Sequence, residues 1–279
     1  MEYYIVDAFS DVPFGGNPAG VVLLEAKEFP KDDLMQQVAA ELRYSETAFV
    51  QRIGETEFKV RYFTPCGEVD LCGHATIATF GMLYQMGFLA DDTLCLNHTL
   101  AGDLKVRVGK KVMMEMAKPQ VIPVKIDVER LHHIMGAVAS VDLPVQVVST
   151  GLPDIMMPVA SIEELNSLSP DMDALAQLSK ELAVTGIHAF ALSDDGYTAH
   201  VRNFGPLYGI PEESATGTAN AALTHYLRHN GLIGCPAECR FMQGEAMGRP
   251  SVVETSLLND GTIWVGGKIA IIATGTLLI

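Results

Sequence analysis

Hydrophobic and polar positions alternate along this chain in short runs, interrupted by a few stretches at helical spacing. YYIVDAF (3–9) and GVVLLE (20–25) predict strands, separated by the turn-rich PFGGNP (13–18). Leu34, Met35, Val38, Ala39 and Leu42 recur at helical spacing after Pro30 and predict a first helix. TAFVQR (47–52) and EFKVRYF (57–63) predict two more strands, and the small, apolar segment 73–86 predicts a buried helix. LKVRV (104–108) and VMMEMA (112–117) alternate as a hairpin does, and KPQVIPVK (118–125), with two prolines, marks a crossing between domains. A second series then runs through a strand at 144–149, a helix near 171–182, strands at 187–193 and 198–204, and a small-residue helix at 217–229. Further strands follow to the end, where IAIIATGTLLI reads as a buried strand too short to span a membrane.

The second series repeats the first. At an offset of 144 residues, Gly73, Ala75, Ala78 and Gly87 meet Gly217, Ala219, Ala222 and Gly231. At an offset of 141, Ala48-Phe49 meets Ala189-Phe190, and Arg61, Phe63 and Pro65 meet Arg202, Phe204 and Pro206. Two offsets in register, differing by three, imply a duplicated unit with one small insertion between strand and helix. The expected division is 1–118 plus a C-terminal strand at about 266–279 for the first half and 119–265 for the second, with a cleft between them.

Composition narrows the function. Of 279 residues, 48% are hydrophobic, enough for a sizeable core, and the net charge of −15 with scattered Lys and Arg excludes a nucleic-acid surface. The same balance excludes docking on anionic lipid. MEYYIVDAFSDV lacks a basic segment followed by a long apolar run, so no secretory signal is predicted. Five cysteines, an odd number, read as reduced thiols of a cytoplasmic protein. Cys66-x5-Cys72 and Cys235-x3-Cys239 do not have zinc-ligand spacing, and His132 and His133 are neighbours, so no metal site is expected. With no P-loop, nucleophile elbow or dinucleotide fingerprint, no cofactor is expected either.

The two repeated helix starts carry the candidate chemistry. A glycine there admits a ligand to the backbone, and a helix start offers unpaired N–H groups and partial positive charge. Gly73 and Gly217, facing one another across a pseudo-twofold axis, would clamp an anion, most naturally a carboxylate. The alternative is that these glycines serve tight packing alone. Cys72 and His74 flank the first start; Thr216 and Thr218, preceded by Glu212 and Glu213, flank the second. Glu46, in SETAF, has no acidic counterpart, because the residue at offset 141 is Ile187. A duplication that differs at one carboxylate suits one-sided acid–base chemistry, since a carboxylate in an apolar cleft can take and return a proton near neutral pH. Against these readings, a buried Cys is often an inert small hydrophobe, and Glu212 and Glu213 would each favour the second helix simply through its dipole.

DAFSDVPFGGNPAGVV, RYSETAFV, RYFTPCGEVDLCGHATIATF and GIPEESATGTANAAL together resemble the PhzF-like phenazine-biosynthesis isomerase family of the diaminopimelate epimerase-like superfamily. The four segments run in family order from residue 7 to residue 223. The resemblance implies an α/β (α+β type) fold of two pseudo-symmetric halves, each a curved, mostly antiparallel sheet around a central helix, with the active site between them. It implies cofactor-free isomerisation of a small carboxylate by proton transfer, and commonly a homodimer. It maps the catalytic carboxylate onto Glu46, the CGHAT histidine onto His74, the second acidic residue onto Glu213 and the following hydroxyl onto Thr218. It maps the glycines whose amides hold the carboxylate onto Gly73 and Gly217. The chain departs from the family's Asp-Pro with Glu213-Ser214, and from its Ser with Thr218. Two alternatives remain open at this point, a small-anion binding protein without turnover and an epimerase or racemase using Cys72 as a base. Thr216 at the position matched to Cys72 leaves the two-thiol form of the latter incomplete.

Overall fold

A computed structural model describes residues 1–25, 28–137 and 141–279. Spatial proximity divides the chain into two units, Met1–Glu115 with Gly266–Ile279, and Met116–Val265. The first begins with β1 (Glu2–Ala8) and β2 (Asn17–Leu24), then α1 (Asp32–Leu42), β3 (Thr47–Arg52), β4 (Glu57–Phe63) and β5 (Glu68–Val69). It continues through α2 (Gly73–Gln85), β6 (Thr93–Thr99), β7 (Gly102–Val108) and β8 (Val112–Glu115). The second contains β9 (Gln120–Ile122), α3 (Val128–Met135), β10 (Gln146–Ser149), β11 (Pro153–Pro158), α4 (Ile162–Ser167) and α5 (Met172–Leu182). After these come β12 (Gly186–Leu192), β13 (Ala199–Gly205), β14 (Ile210–Glu213), α6 (Gly217–His229), β15 (Ala237–Gln243), β16 (Ser251–Leu257) and β17 (Ile263–Gly267), whose last two residues fall in the first unit. The last strand, β18 (Ile269–Thr276), belongs to the first unit.

Strand pairing shows the repeat in each unit taken by itself. In the first, β2 runs parallel to β3, β3 antiparallel to β4, β4 antiparallel to β5 and parallel to β6, and β6 antiparallel to β7. In the second, β11, β12, β13, β14, β15 and β16 pair in the same sequence and the same senses. The antiparallel pairs β1–β2 and β1–β18 likewise have counterparts in β10–β11 and β10–β9. The three-residue insertion falls at the turn after β13, where Pro206–Tyr208 form a 3-10 helix.

Each unit packs its sheet around one helix. Every residue of α2 from His74 to Leu83 is buried, and the helix packs on β1, β2, β3, β7, β8 and β18. A helix apolar on all sides is stable only when covered on all sides, and its small residues let the strands close in. A Cβ at Gly81 would lie 2.5 Å from Ile269 Cγ1, so glycine is required there for close packing. The ring of Phe80 meets Phe58 edge-on at 5.3 Å. α6 is the counterpart, with Ala219 through Thr224 buried against β10, β11 and β16. Away from these faces, α1 covers a cluster of Val22, Met35, Val38, Ala39, Phe49 and Phe63. A larger cluster including Leu131, Leu165, Leu175 and Leu178 lies under α3, α4 and α5.

Two expectations change. The C-terminal segment is a strand, but only Ile269 and Ala270 are buried, and Leu278 is 93% exposed. Gly81 fixes where α2 meets β18, at its first residue, and Ala273 and Thr274 farther along are exposed. The pattern also does not single out β11, which carries a proline at each end. All five cysteines are free thiols, as expected, with Cys72, Cys95 and Cys239 buried.

Candidate functional site

In the first unit the site grows from one strand start and one helix start. The Gly20 N–H donates to the Glu46 carbonyl at 3.1 Å, which fixes the backbone where β3 begins alongside β2. Cys72, extended at φ −137°, is the N-cap of α2, and its Sγ accepts from the Ala75 N–H at 3.5 Å. His74 follows in the first turn, 5% exposed. These constraints bring three side chains from separate motifs together. Glu46 Oε2 lies 3.3 Å from His74 Nε2, and Cys72 Sγ lies 3.3 Å from His74 Nδ1 and 3.9 Å from Nε2. Ser45 Oγ is also 3.2 Å from Nε2, a neighbour the pattern did not signal. Glu46 Oε2 is buried and forms no well-aligned hydrogen bond, with His74 Nε2 beside it at 3.3 Å.

Gly73 bears on the packing alternative. A Cβ built there would meet only Met114 Cε at 3.7 Å, an ordinary contact. Close packing therefore does not require glycine at this position, in contrast to Gly81.

The second unit arranges its helix start differently. Thr216 is the N-cap of α6, but its side chain makes no capping hydrogen bond. Instead its hydroxyl donates to Glu213 Oε2 at 2.5 Å and accepts from Gln243 Nε2 at 3.1 Å. Among the described residues, no protein acceptor meets the Gly217, Thr218 or Ala219 N–H groups. Three unpaired donors at the positive end of a buried helix form an anion-binding surface. Thr218 is placed by its own carbonyl, which accepts from Thr150 Oγ1 at 2.9 Å.

Sequence reasoning missed what holds this start in place. Gln243, 1% exposed at the end of β15, accepts from the Thr216 N–H and from Asn220 Nδ2, and donates to the Glu213 carbonyl. The signal available was a polar residue at a buried position of an alternating strand, AECRFMQ. Beside it lies a buried polar group, Asp154, His188 and Asn203, on neighbouring strands. Burial, reinforced by the charge of Glu213, pushes Asp154 up to about 7, against hydrogen bonds from Asn203 and the Gly186 N–H. Burial pushes His188 down to about 3. Glu212, a chemistry candidate by position, is occupied otherwise: Arg202 grips it through Nε and Nη2, both at 2.8 Å. The matching pair in the first unit, Arg61 and Glu68, has the same fork at 2.6 Å on both arms. Arg61 and Arg202 share the 141 offset, and Glu68 and Glu212 share the 144 offset, so the pair belongs to the repeat.

Glu46, Cys72 and His74 are also the group among the described residues with metal-ligand chemistry, their donor atoms lying within 4.8 Å of one another. No helix among the described residues is long and apolar enough to cross a membrane.

Comparison with known proteins places the chain in a family. The model of a family described as phenazine biosynthesis-like protein matches residues 6–275. The uncharacterized isomerase YddE of Escherichia coli K12 is 33% identical over 274 residues, covering 92% of this chain and 90% of its own. The crystal structure of the Bacillus anthracis phenazine biosynthesis protein of the PhzF family superposes with a TM-score of 0.89 at 26% identity, covering 100% of this chain and 99% of that one. A hydroxyproline epimerase from Agrobacterium vitis shares the fold at a TM-score of 0.63 and 13% identity, covering 99% and 90%. The fold is thus mixed α/β of the diaminopimelate epimerase-like type.

Proposed function

The chain belongs to the PhzF-like phenazine-biosynthesis family and is an isomerase, and on that premise we propose that it shifts a proton within a small carboxylate without a cofactor. Glu46 removes a proton from one carbon and returns it to another. The observation that carries this reading is the buried Glu46 Oε2, without a well-aligned hydrogen bond and 3.3 Å from His74 Nε2. His74 orients the carboxylate and accepts or donates a proton at Nε2, as a general acid–base partner does. Taken unit by unit, the Gly73 N–H of the first and the open Gly217 and Thr218 N–H groups of the second are each suited to a substrate carboxylate, and Glu213, hydrogen-bonded to Thr216, adjusts proton movement beside the latter. Precise placement of one base contributes more to such a reaction than a large charged apparatus.

Deuterium exchange into a panel of small carboxylates tests it. Wild type should exchange C–H for C–D and release an isomer of unchanged mass in ordinary water, and Glu46→Gln should do neither. Equal exchange by both proteins would remove Glu46 from the role. A second reading, Cys72 as the base, is favoured only by its 3.3 Å contact with His74 Nδ1. Retained exchange by Cys72→Ala eliminates it.

A further inference from the structure

A network of polar side chains, most of them buried, runs from the start of α6 to β11, and its donors and acceptors can be assigned one by one. The Thr216 N–H can only donate, so it fixes the oxygen of Gln243, and the Glu213 carbonyl, which can only accept, fixes the Gln243 nitrogen. Asn220 spends both amide hydrogens, on the Thr216 carbonyl at 2.9 Å and on Gln243 Oε1 at 2.8 Å. Gln243 spends its second hydrogen on Thr216 Oγ1. The Thr216 hydroxyl has one hydrogen of its own and gives it to Glu213 Oε2 at 2.5 Å. This side of the network ends on Glu213 as an acceptor, the role of an ionised carboxylate.

The other side ends on Asp154, 2% exposed. Asn203, in register with His188 on β12 and Glu213 on β14, hydrogen-bonds both His188 Nδ1, at 3.3 Å, and Asp154. Asn220 has only its oxygen left for His188, which it meets loosely. The titratable groups of the network besides Asp154 are therefore Glu213 from β14 and His188 from β12. β10 places Val148 opposite Asp154, and α6 contributes Asn220. Burial keeps His188 neutral, and no lysine or arginine among the described residues acts on Asp154. Two carboxyls without a cation between them do not both ionise readily in a buried place. The network assigns the charge to Glu213, so the proton stays with Asp154, which burial and the Glu213 charge push up to about 7.

We propose that Asp154 is a positioning residue for the anion-holding start of α6. Protonated, it leaves Glu213 as the single charge beside that start; ionised, it adds a second charge that repels an incoming carboxylate. A buried charge acts over several ångströms with little screening by water or salt. Anion binding is therefore tightest while Asp154 keeps its proton and weakens once the proton leaves. The inference rests on the proposed role of the Gly217 and Thr218 N–H groups as a carboxylate site.

Sulfate is the probe, because it stays a dianion across the range tested and helix starts hold it through the same N–H groups. In the full chain, sulfate-induced shifts of the Gly217 and Thr218 amides are followed by NMR at about pH 5.5 and about pH 8.5, at constant ionic strength. Reading these amides keeps titration of His74, in the other unit, out of the measurement. Wild type should lose at least about tenfold in sulfate affinity between the two conditions. Asp154→Asn keeps the shape of the side chain but cannot ionise, and should lose less than about twofold. Equal losses by both proteins, or no loss in wild type, overturn the role of Asp154. Should the variant fail to fold, wild type alone decides: the Asp154 carboxyl carbon, followed by NMR without ligand, should titrate near 7. Titration in the ordinary carboxylate range overturns the proposal. No response of either amide to sulfate at about pH 5.5 overturns it together with the carboxylate site of the proposed function, whereas the other failures leave that site standing.

Discussion

The starts of α2 and α6 occupy matching positions in the repeat, yet their caps do opposite things. Cys72 turns its sulfur inward over its own helix and accepts the Ala75 N–H. Thr216 turns away from its helix to bond Glu213 and Gln243, which leaves the first N–H groups of α6 open. One start therefore gathers side-chain chemistry around Glu46, and the other presents bare backbone donors. A duplicated scaffold carries two different helix starts: the cap residue changes from Cys72 to Thr216, and the residue matched to Glu46 is Ile187, so in the proposed function proton transfer falls to the first start and anion binding to the second. What the repeat keeps is structural, namely the Arg61–Glu68 and Arg202–Glu212 forks beneath each start.

The sharpest way to break this contrast is at the carboxylate. Glu46→Gln should lower exchange by about 10²–10⁴-fold, the usual range for loss of a general base, while Glu213→Gln should cost less. Equal losses would erase the division of labour.

Next in size is the support of α6. Gln243→Ala leaves the Thr216 N–H and part of the Asn220 amide unpaired in a buried place, and should cost about 3–5 kcal/mol of stability in urea unfolding. Asn97→Ala in the first unit removes a single bond to the Tyr62 hydroxyl and should cost about 1–3 kcal/mol. A reversed order would mean that the two polar cores are not organised as described.

The pH dependence of stability separates the units further. Asp154, near 7 when folded and about 3.8 when unfolded, contributes stability that is complete at low pH and lost as pH rises through 7. His188, near 3 when folded and about 6.5 when unfolded, contributes stability present above 6.5 and lost as pH falls toward 3. Between about pH 4.5 and 6 the two trends oppose, so their joint contribution in wild type should be nearly flat. Asp154→Asn removes one of them, and its stability should fall, relative to wild type, by about 1.4 kcal/mol for each unit of acidification. Parallel stability curves for the two proteins would contradict the burial of a titrating pair. The smallest expected effect is at the shared forks, where Arg61→Lys and Arg202→Lys should each cost about 1 kcal/mol through loss of the second hydrogen bond.

Much of the scaffold was legible in the residues. TAFVQR and EFKVRYF are the strands Thr47–Arg52 and Glu57–Phe63, and the small-residue helix at 217–229 has those limits in the structure. Side-chain alternation and small-residue runs are local properties, so they survive without knowledge of partners. The partly exposed β18 was not legible, because its apolar composition does not say where α2 meets it. The partner of Glu212 was not legible for a similar reason: proximity in sequence to a helix start says nothing about Arg202 reaching across from β13.

The sequence alone determined the two central helices and several of the strands around them, the duplication with its three-residue insertion, and the identity of the two helix starts, since each is written in spacing along one stretch of chain. Only the tertiary structure decided that Glu46, Cys72 and His74 meet within 4.8 Å, that Gln243 props the second start open, and that Gly73 has room beside it while Gly81 has none. Those outcomes depend on strand register and on which side chains converge across the sheet. No periodicity within a single segment carries that information.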